Sequence, residues 1–109
     1  MTQTMTVAIV DDEPDMRESI SQWLTLSGFT TAVFASAEEA LKAIGPDWPG
    51  AVITDMRMPG MDGMTFLKRL IGQDSALPVI MITGHGDVPM AVEAMRLGAM
   101  DFMEKPFNP

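Results

Sequence analysis

The sequence predicts an α/β fold, a doubly wound parallel sheet with helices on both faces. Three observations predict it. Apolar runs of strand length alternate with segments whose apolar residues recur at helical spacing. Alternation of that kind builds a parallel sheet rather than hairpins. Several of the runs also stop abruptly at a polar residue: Asp11, Asp55 and Thr83.

Val7–Val10 is a continuous apolar run, as expected for a strand covered on both faces. Pro14 suits the first turn of a helix, where its missing N–H costs little. Met16, Ile20, Trp23, Leu24 and Leu26 give that helix an apolar stripe, and Gly28 ends it. Phe29–Ala35 alternates and is rich in β-formers, so it reads as the second strand. Ser36 and Glu39 have the spacing of a capping box for the next helix. Ala40, Leu41 and Ile44 are its apolar face, and Gly45-Pro46 closes it.

Ala51–Thr54 is the third strand and ends at Asp55. Pro59-Gly60 and Asp62-Gly63 mark a loop over 56–63. Met64, Phe66, Leu67, Leu70 and Ile71 define the third helix. Pro78–Ile82 is the fourth strand, ending at Thr83-Gly84. Asp87-Val88-Pro89 opens a helix carrying Met90, Ala91, Ala94, Met95 and Leu97, and Gly98 stops it. Asp101–Glu104 is a fifth strand, followed by Lys105-Pro106.

Composition narrows the function. The chain has 109 residues, enough for one domain, and no cysteine, which removes disulfides and thiolate metal sites. Its net charge of -8 disfavours direct contact with a phosphate backbone. Met1–Thr6 lacks the basic-then-apolar pattern of a secretory signal, and no run approaches membrane-spanning length. A cytoplasmic location is expected.

Ligands of open α/β sheets bind beyond the carboxyl ends of the strands. There the first strand carries Asp11, Asp12 and Glu13, the third Asp55, the fourth Thr83 and the fifth Lys105. If the strand order is 2-1-3-4-5, these ends lie side by side. Carboxylates crowded together repel and favour a divalent cation; oxygen donors without His or Cys suit Mg2+ or Mn2+. Asp55, at a strand end before a loop, is the best placed nucleophile, since carboxylates form aspartyl phosphates. The cation and Lys105 would neutralise charge, and the Thr83 hydroxyl could donate to a phosphoryl oxygen. Taken singly, each residue has a plainer reading: turn former, β-former or solvated lysine. Their joint occurrence at four strand ends is what points to a site.

The strings Ile9-Val10-Asp11-Asp12-Glu13, Thr54-Asp55-Met56-Arg57-Met58-Pro59-Gly60-Met61-Asp62-Gly63, Ile82-Thr83-Gly84 and Glu104-Lys105-Pro106-Phe107 resemble the signatures of two-component response-regulator receiver domains. The resemblance implies a five-stranded sheet of order 2-1-3-4-5, the flavodoxin and CheY-like arrangement. It implies Asp55 as phosphoacceptor, and Asp12, Asp55 and the backbone carbonyl of Arg57 as direct metal ligands, with Asp11 acting mainly through water. Lys105 would pair with the phosphoryl group, across a cis Lys105-Pro106 peptide. Thr83 and Phe102 would be the switch pair, Phe102 standing where many receivers carry tyrosine. A receiver catalyses only its own aspartyl phosphorylation and dephosphorylation, so the chain is not expected to be an enzyme in the ordinary sense. The implied partners are a sensor histidine kinase, a C-terminal effector domain and a second copy.

The stretch Thr83–Val92 is similar to receivers of DctD-like dicarboxylate-transport regulators of the NtrC class, which are sigma-54-dependent, and also to FixJ-type receivers. Trp48-Pro49-Gly50 and the Asp74–Pro78 loop favour the former. A competing reading is a metal-dependent phosphohydrolase of the haloacid-dehalogenase type, with Asp11 as nucleophile and Glu13 as general acid, though no room for a substrate pocket is expected. His85, beside Thr83, reads as a loop residue. Most of the 12 methionines, Met95 included, are expected in packing. The fold normally ends with a helix after the fifth strand; residues 1–109 are expected to be a receiver truncated before or at that helix, with apolar sheet surface left uncovered.

Overall fold

The computed structural model describes residues 5–84 and 88–105. His85, Asp87, the Lys105-Pro106 peptide and Phe107 therefore lie outside the described residues or depend on residues that do. Five strands and four helices alternate: β1 (Thr6–Val10), α1 (Pro14–Leu26), β2 (Thr30–Phe34), α2 (Ala37–Ala43), β3 (Gly50–Asp55), α3 (Gly63–Gln73), β4 (Val79–Thr83), α4 (Val88–Leu97) and β5 (Asp101–Glu104). The strands form one parallel sheet in the order β2-β1-β3-β4-β5.

Parallel strands need crossovers, and the handed crossover decides which face each helix covers. Ala37 and Ala40 of α2, Met64, Phe66, Leu67 and Leu70 of α3, and Ala91 and Ala94 of α4 pack on one face, over Ala8, Val10, Val52, Val79 and Met81. On the other face Ile20 and Leu24 of α1 pack over Val7, Ile9, Ile53 and Ile82. Both faces of β1, β3 and β4 are thus buried, which is why their sequences are continuous apolar runs rather than alternating ones.

The register is anchored where backbones approach most closely. Gly50 pairs with Thr6, and a Cβ there would collide with the Thr6 carbonyl oxygen. Trp48 Nε1–H points at two carbonyls, Thr6 at 3.1 Å and Ala51 at 3.2 Å, tying the starts of β1 and β3 together.

Three sequence expectations change. The apolar stripe of α1 is narrower than its spacing suggests: Ile20 and Leu24 are buried, but Trp23 is partly exposed and Leu26 is 89 % exposed. Met95 is exposed on α4 rather than packed in the core, because Ala91 and Ala94 already form the buried stripe of that helix. Ser36 Oγ accepts the Glu39 N–H at 3.2 Å as a cap should, but Glu39 returns its carboxylate to Ala35 N–H, one residue before the cap.

Candidate functional site

The connection from β1 runs to one face of the sheet and that from β3 to the other, so a crevice opens beyond their carboxyl ends. Asp11 leaves β1 with its backbone pinned on both sides. Its N–H donates to the Phe34 carbonyl at 3.2 Å, and its carbonyl accepts Arg17 Nη1–H at 2.8 Å. Its side chain is wholly buried. Oδ1 accepts the Glu13 N–H at 2.9 Å, while Oδ2 is buried without a hydrogen bond and faces Lys105 Nζ at 3.7 Å. Burial, with Asp55 nearby, raises the Asp11 pKa above the usual carboxylate value, although the Glu13 N–H opposes it.

Asp55 closes β3 and is also buried. Met56 N–H still follows the sheet ladder, donating to the Ile82 carbonyl at 2.9 Å. The chain then turns, and Arg57 N–H bonds Asp55 Oδ1 at 3.3 Å. Gly63 N–H donates to the Met56 carbonyl at 2.9 Å, folding the start of α3 directly over the backbone of Asp55 and Met56. Asp62 caps that helix by accepting Thr65 N–H at 2.9 Å, a bond that lowers its pKa.

One carboxylate oxygen from each of Asp11, Asp12 and Asp55 lies within 4.8 Å of the others, with Asp12 exposed and the other two buried. Lys105 Nζ reaches Asp55 Oδ2 at 3.1 Å and Glu13 Oε1 at 3.2 Å. Burial works against its charge, but the bond to Asp55 and the field of Asp11 prevail, and the Lys105 pKa stands above the ordinary lysine value. An oxygen-only donor set that includes a buried carboxylate oxygen with no hydrogen bond matches a hard divalent cation.

Asp11, Asp12, Asp55 and Lys105 thus meet, with Glu13 beside them, whereas Thr83 and Phe102 make other contacts. Thr83 is buried, and its hydroxyl donates to the Met103 carbonyl at 3.4 Å rather than pointing into an open pocket. Phe102 is half-buried against the core under α4, paired in register with Met81 and two residues before Glu104, the register partner of Thr83. A cavity of about 290 Å³ is lined by Met56, Arg57, Met58, Asp62, Met64 and Met90, in the β3–α3 loop and the starts of α3 and α4. Of the pair Asp11 and Glu13, Asp11 is enclosed, and Glu13 Oε1 accepts from Lys105 Nζ at 3.2 Å.

The model of the response regulator receiver domain family matches residues 7–109. This chain belongs to that family. The receiver is 49 % identical over 107 residues to the C4-dicarboxylate transport transcriptional regulatory protein DctD of Rhizobium meliloti, covering 98 % of this chain and 23 % of that protein. It is 47 % identical over 108 residues to the transcriptional regulatory protein FixJ of Bradyrhizobium diazoefficiens, covering 99 % of this chain and 53 % of that one. The crystal structure of a receiver domain protein from Clostridium thermocellum superposes on it with a TM-score of 0.91 at 31 % identity, covering 95 % of this chain and 84 % of that one. The receiver therefore spans about a quarter of one regulator it matches and about half of the other. None of its described helices is long and apolar enough to cross a membrane.

Sequence reading alone passed over two contacts around the receiver's acidic cluster. Arg17 holds the Asp11 carbonyl from α1, and Glu38 Oε2 accepts the Met61 N–H at 3.0 Å from α2. Arg17 could have been suspected from its place one helical turn beyond the acid run. Glu38 gives no such signal, because an acid in the first turn of a helix has sufficient reason to be there.

Proposed function

We propose that this receiver is the phosphorylation switch of a two-component transcriptional regulator, with Asp55 as phosphoacceptor. The observation that carries the reading is the 3.1 Å contact of Lys105 Nζ with Asp55 Oδ2 inside a cluster that also holds Asp11 and Asp12. A buried carboxylate in contact with a lysine ammonium, in a cluster of oxygen donors able to hold a divalent cation, has the positive charge at hand that an acyl phosphate's added negative charge requires.

In the proposed reaction an Asp55 carboxylate oxygen attacks phosphorus of a phosphohistidine on the kinase. The new O–P bond forms as the N–P bond breaks, and the electron pair returns to the imidazole, which takes a proton from solvent. Phosphoryl transfer of this kind needs positioning and charge neutralisation more than covalent chemistry. Asp12, Asp55 and the Arg57 carbonyl, with Asp11 mainly through water, would hold Mg2+ or Mn2+, which would supply part of that neutralisation. Lys105 stays protonated and exchanges its carboxylate partners for phosphoryl oxygens. Thr83 gives up its bond to Met103 and donates to the phosphoryl group, opening space beside β5 that Phe102 can enter. The phosphorylated state then favours one of two packings, and the attached domain responds to the shift in population. Water later attacks the phosphorus of the acyl phosphate, and the Asp55 O–P bond breaks to return the carboxylate and release inorganic phosphate.

The partners in this reading are a sensor histidine kinase, a C-terminal effector domain and a second copy of the regulator, all in the cytoplasm. The effector is a sigma-54-dependent activator, as the likeness to DctD-type regulators suggests. The similar identity to FixJ supports a second reading, in which the output is a DNA-binding domain alone. The test of the central reaction is incubation with acetyl phosphate and Mg2+, followed by intact-mass measurement. Wild type gains one phosphoryl group and Asp55→Asn gains none; an equal gain in both would end the assignment.

A further inference from the structure

The loop between β3 and α3 carries Arg57 and is tied at both ends. Near Asp55 the ties are Arg57 N–H to Asp55 Oδ1 and Gly63 N–H to the Met56 carbonyl, and at the far end Asp62 caps α3. Its outer turn, Pro59-Gly60-Met61, has a third tie that comes from a different helix. Glu38 in the first turn of α2 reaches across to it, and Oε2 accepts the Met61 N–H at 3.0 Å.

Gly60 is shaped for that contact. Its φ is +76°, which side chains rarely adopt, and a Cβ there would stand 2.7 Å from Glu38 Oε2. The carboxylate therefore lies against the bare backbone of the turn. Its own N–H and that of Met61 both stabilise the ionised form, and its pKa is lowered accordingly. Glu38 is itself exposed and touches none of Asp11, Asp12, Asp55 or Lys105 in the contacts described, so burial of an apolar face does not account for its position.

We infer that Glu38 is a positioning residue for the β3–α3 loop: by holding Met61 N–H over Gly60, its carboxylate keeps the Arg57 peptide and Asp55 in the geometry that takes the divalent cation. The inference rests on the proposed metal site, whose ligands Asp55 and Arg57 both lie at the β3 end of this short, cross-braced segment. Without the brace from α2, that segment keeps its end ties but gains freedom at its outer turn. An outer contact that orients a metal ligand acts on affinity without touching the metal.

The experiment is Mg2+ binding by calorimetry on wild type, Glu38→Ala, Glu38→Gln and Asp12→Ala, each with a thermal melt and amide hydrogen exchange at Met61. Glu38→Ala is expected to weaken Mg2+ binding by about tenfold, the lower end for such outer contacts, and to speed exchange at Met61 while leaving the melt close to wild type. Glu38→Gln, which keeps an acceptor oxygen, should restore most of the affinity. Unchanged Mg2+ affinity in Glu38→Ala overturns the inference. So does an affinity loss that Glu38→Gln shares in full, or one that simply follows a collapse of the melt. If wild type binds Mg2+ and Asp12→Ala does not, the metal site stands whatever Glu38 does; if wild type binds none, the site and the inference fall together.

Discussion

Lys105 Nζ lies 3.1 Å from Asp55 Oδ2 although 50 residues separate them along the chain. The contact exists because β5 reaches the carboxyl edge of the sheet beside β4, and Lys105 N–H there donates to the Thr83 carbonyl at 2.7 Å. The lysine head is thereby aimed at the end of β3. It divides its charge among Asp55, Glu13 and the buried Asp11. A phosphoryl group on Asp55 would offer it stronger acceptors.

Lys105→Ala is accordingly expected to slow phosphorylation of Asp55 by acetyl phosphate by about 100-fold, the scale of losing one preorganised charge donor. Time-resolved intact-mass measurement at fixed Mg2+ checks it. A rate near wild type would remove Lys105 from the chemistry.

The carboxylate cluster stores repulsion that a cation relieves. At Mg2+ ten times its Kd, binding to the folded state should stabilise by about 1.4 kcal/mol and raise Tm by roughly 5–10 °C. Asp12→Ala should abolish most of that rise. A thermal melt with and without Mg2+ decides the matter, and an identical Tm in wild type would contradict a cation site.

Much of this was legible in the sequence. The strands announced themselves because both faces of β1, β3 and β4 are covered, and the acids stood out because each interrupts an apolar run. Helix faces were less legible. Spacing in α1 marks Trp23 and Leu26 as apolar but cannot tell which edge of the stripe meets the sheet, and Leu26 in fact faces solvent. Met95 was misassigned for the same reason. The Thr83 bond to Met103 and the reach of Glu38 to Met61 depend on how the chain packs after folding, so no spacing rule contains them.

Gly63 and Gly72 in α3 should respond to alanine in opposite directions. A Cβ on Gly63 would strike the Asp55 carbonyl oxygen and come within 2.7 Å of Met56 Cα, backbone that cannot step aside. Gly63→Ala is expected to cost about 1–3 kcal/mol and to impair phosphoacceptance with it. Gly72 has nothing within 4 Å, so Gly72→Ala should stabilise by about 0.5–1 kcal/mol through helix propensity. Urea titrations of the two variants check both signs; a neutral Gly63→Ala would mean that α3 does not sit so tightly on Asp55.

Asp62→Ala should remove about 1 kcal/mol at neutral pH by leaving Thr65 N–H uncapped. The folded-state pKa of Asp62 is lowered, so its contribution is present above the ordinary carboxylate value of 3.8 and fades as pH falls through the lowered folded value. The stability gap between wild type and variant should therefore close in acid. A gap that stays constant down to the lowest measurable pH would show that charge on Asp62 has no part in the cap.

The most direct test traps the acyl phosphate where it forms. Borohydride reduces an aspartyl phosphate to homoserine, with release of phosphate, and peptide sequencing by mass spectrometry then names the residue. After treatment with acetyl phosphate and Mg2+, homoserine is predicted at position 55 alone, and it should vanish when a chelator removes the metal. Homoserine at Asp11 or Asp12 instead, or labelling of position 55 that ignores the chelator, would contradict the account.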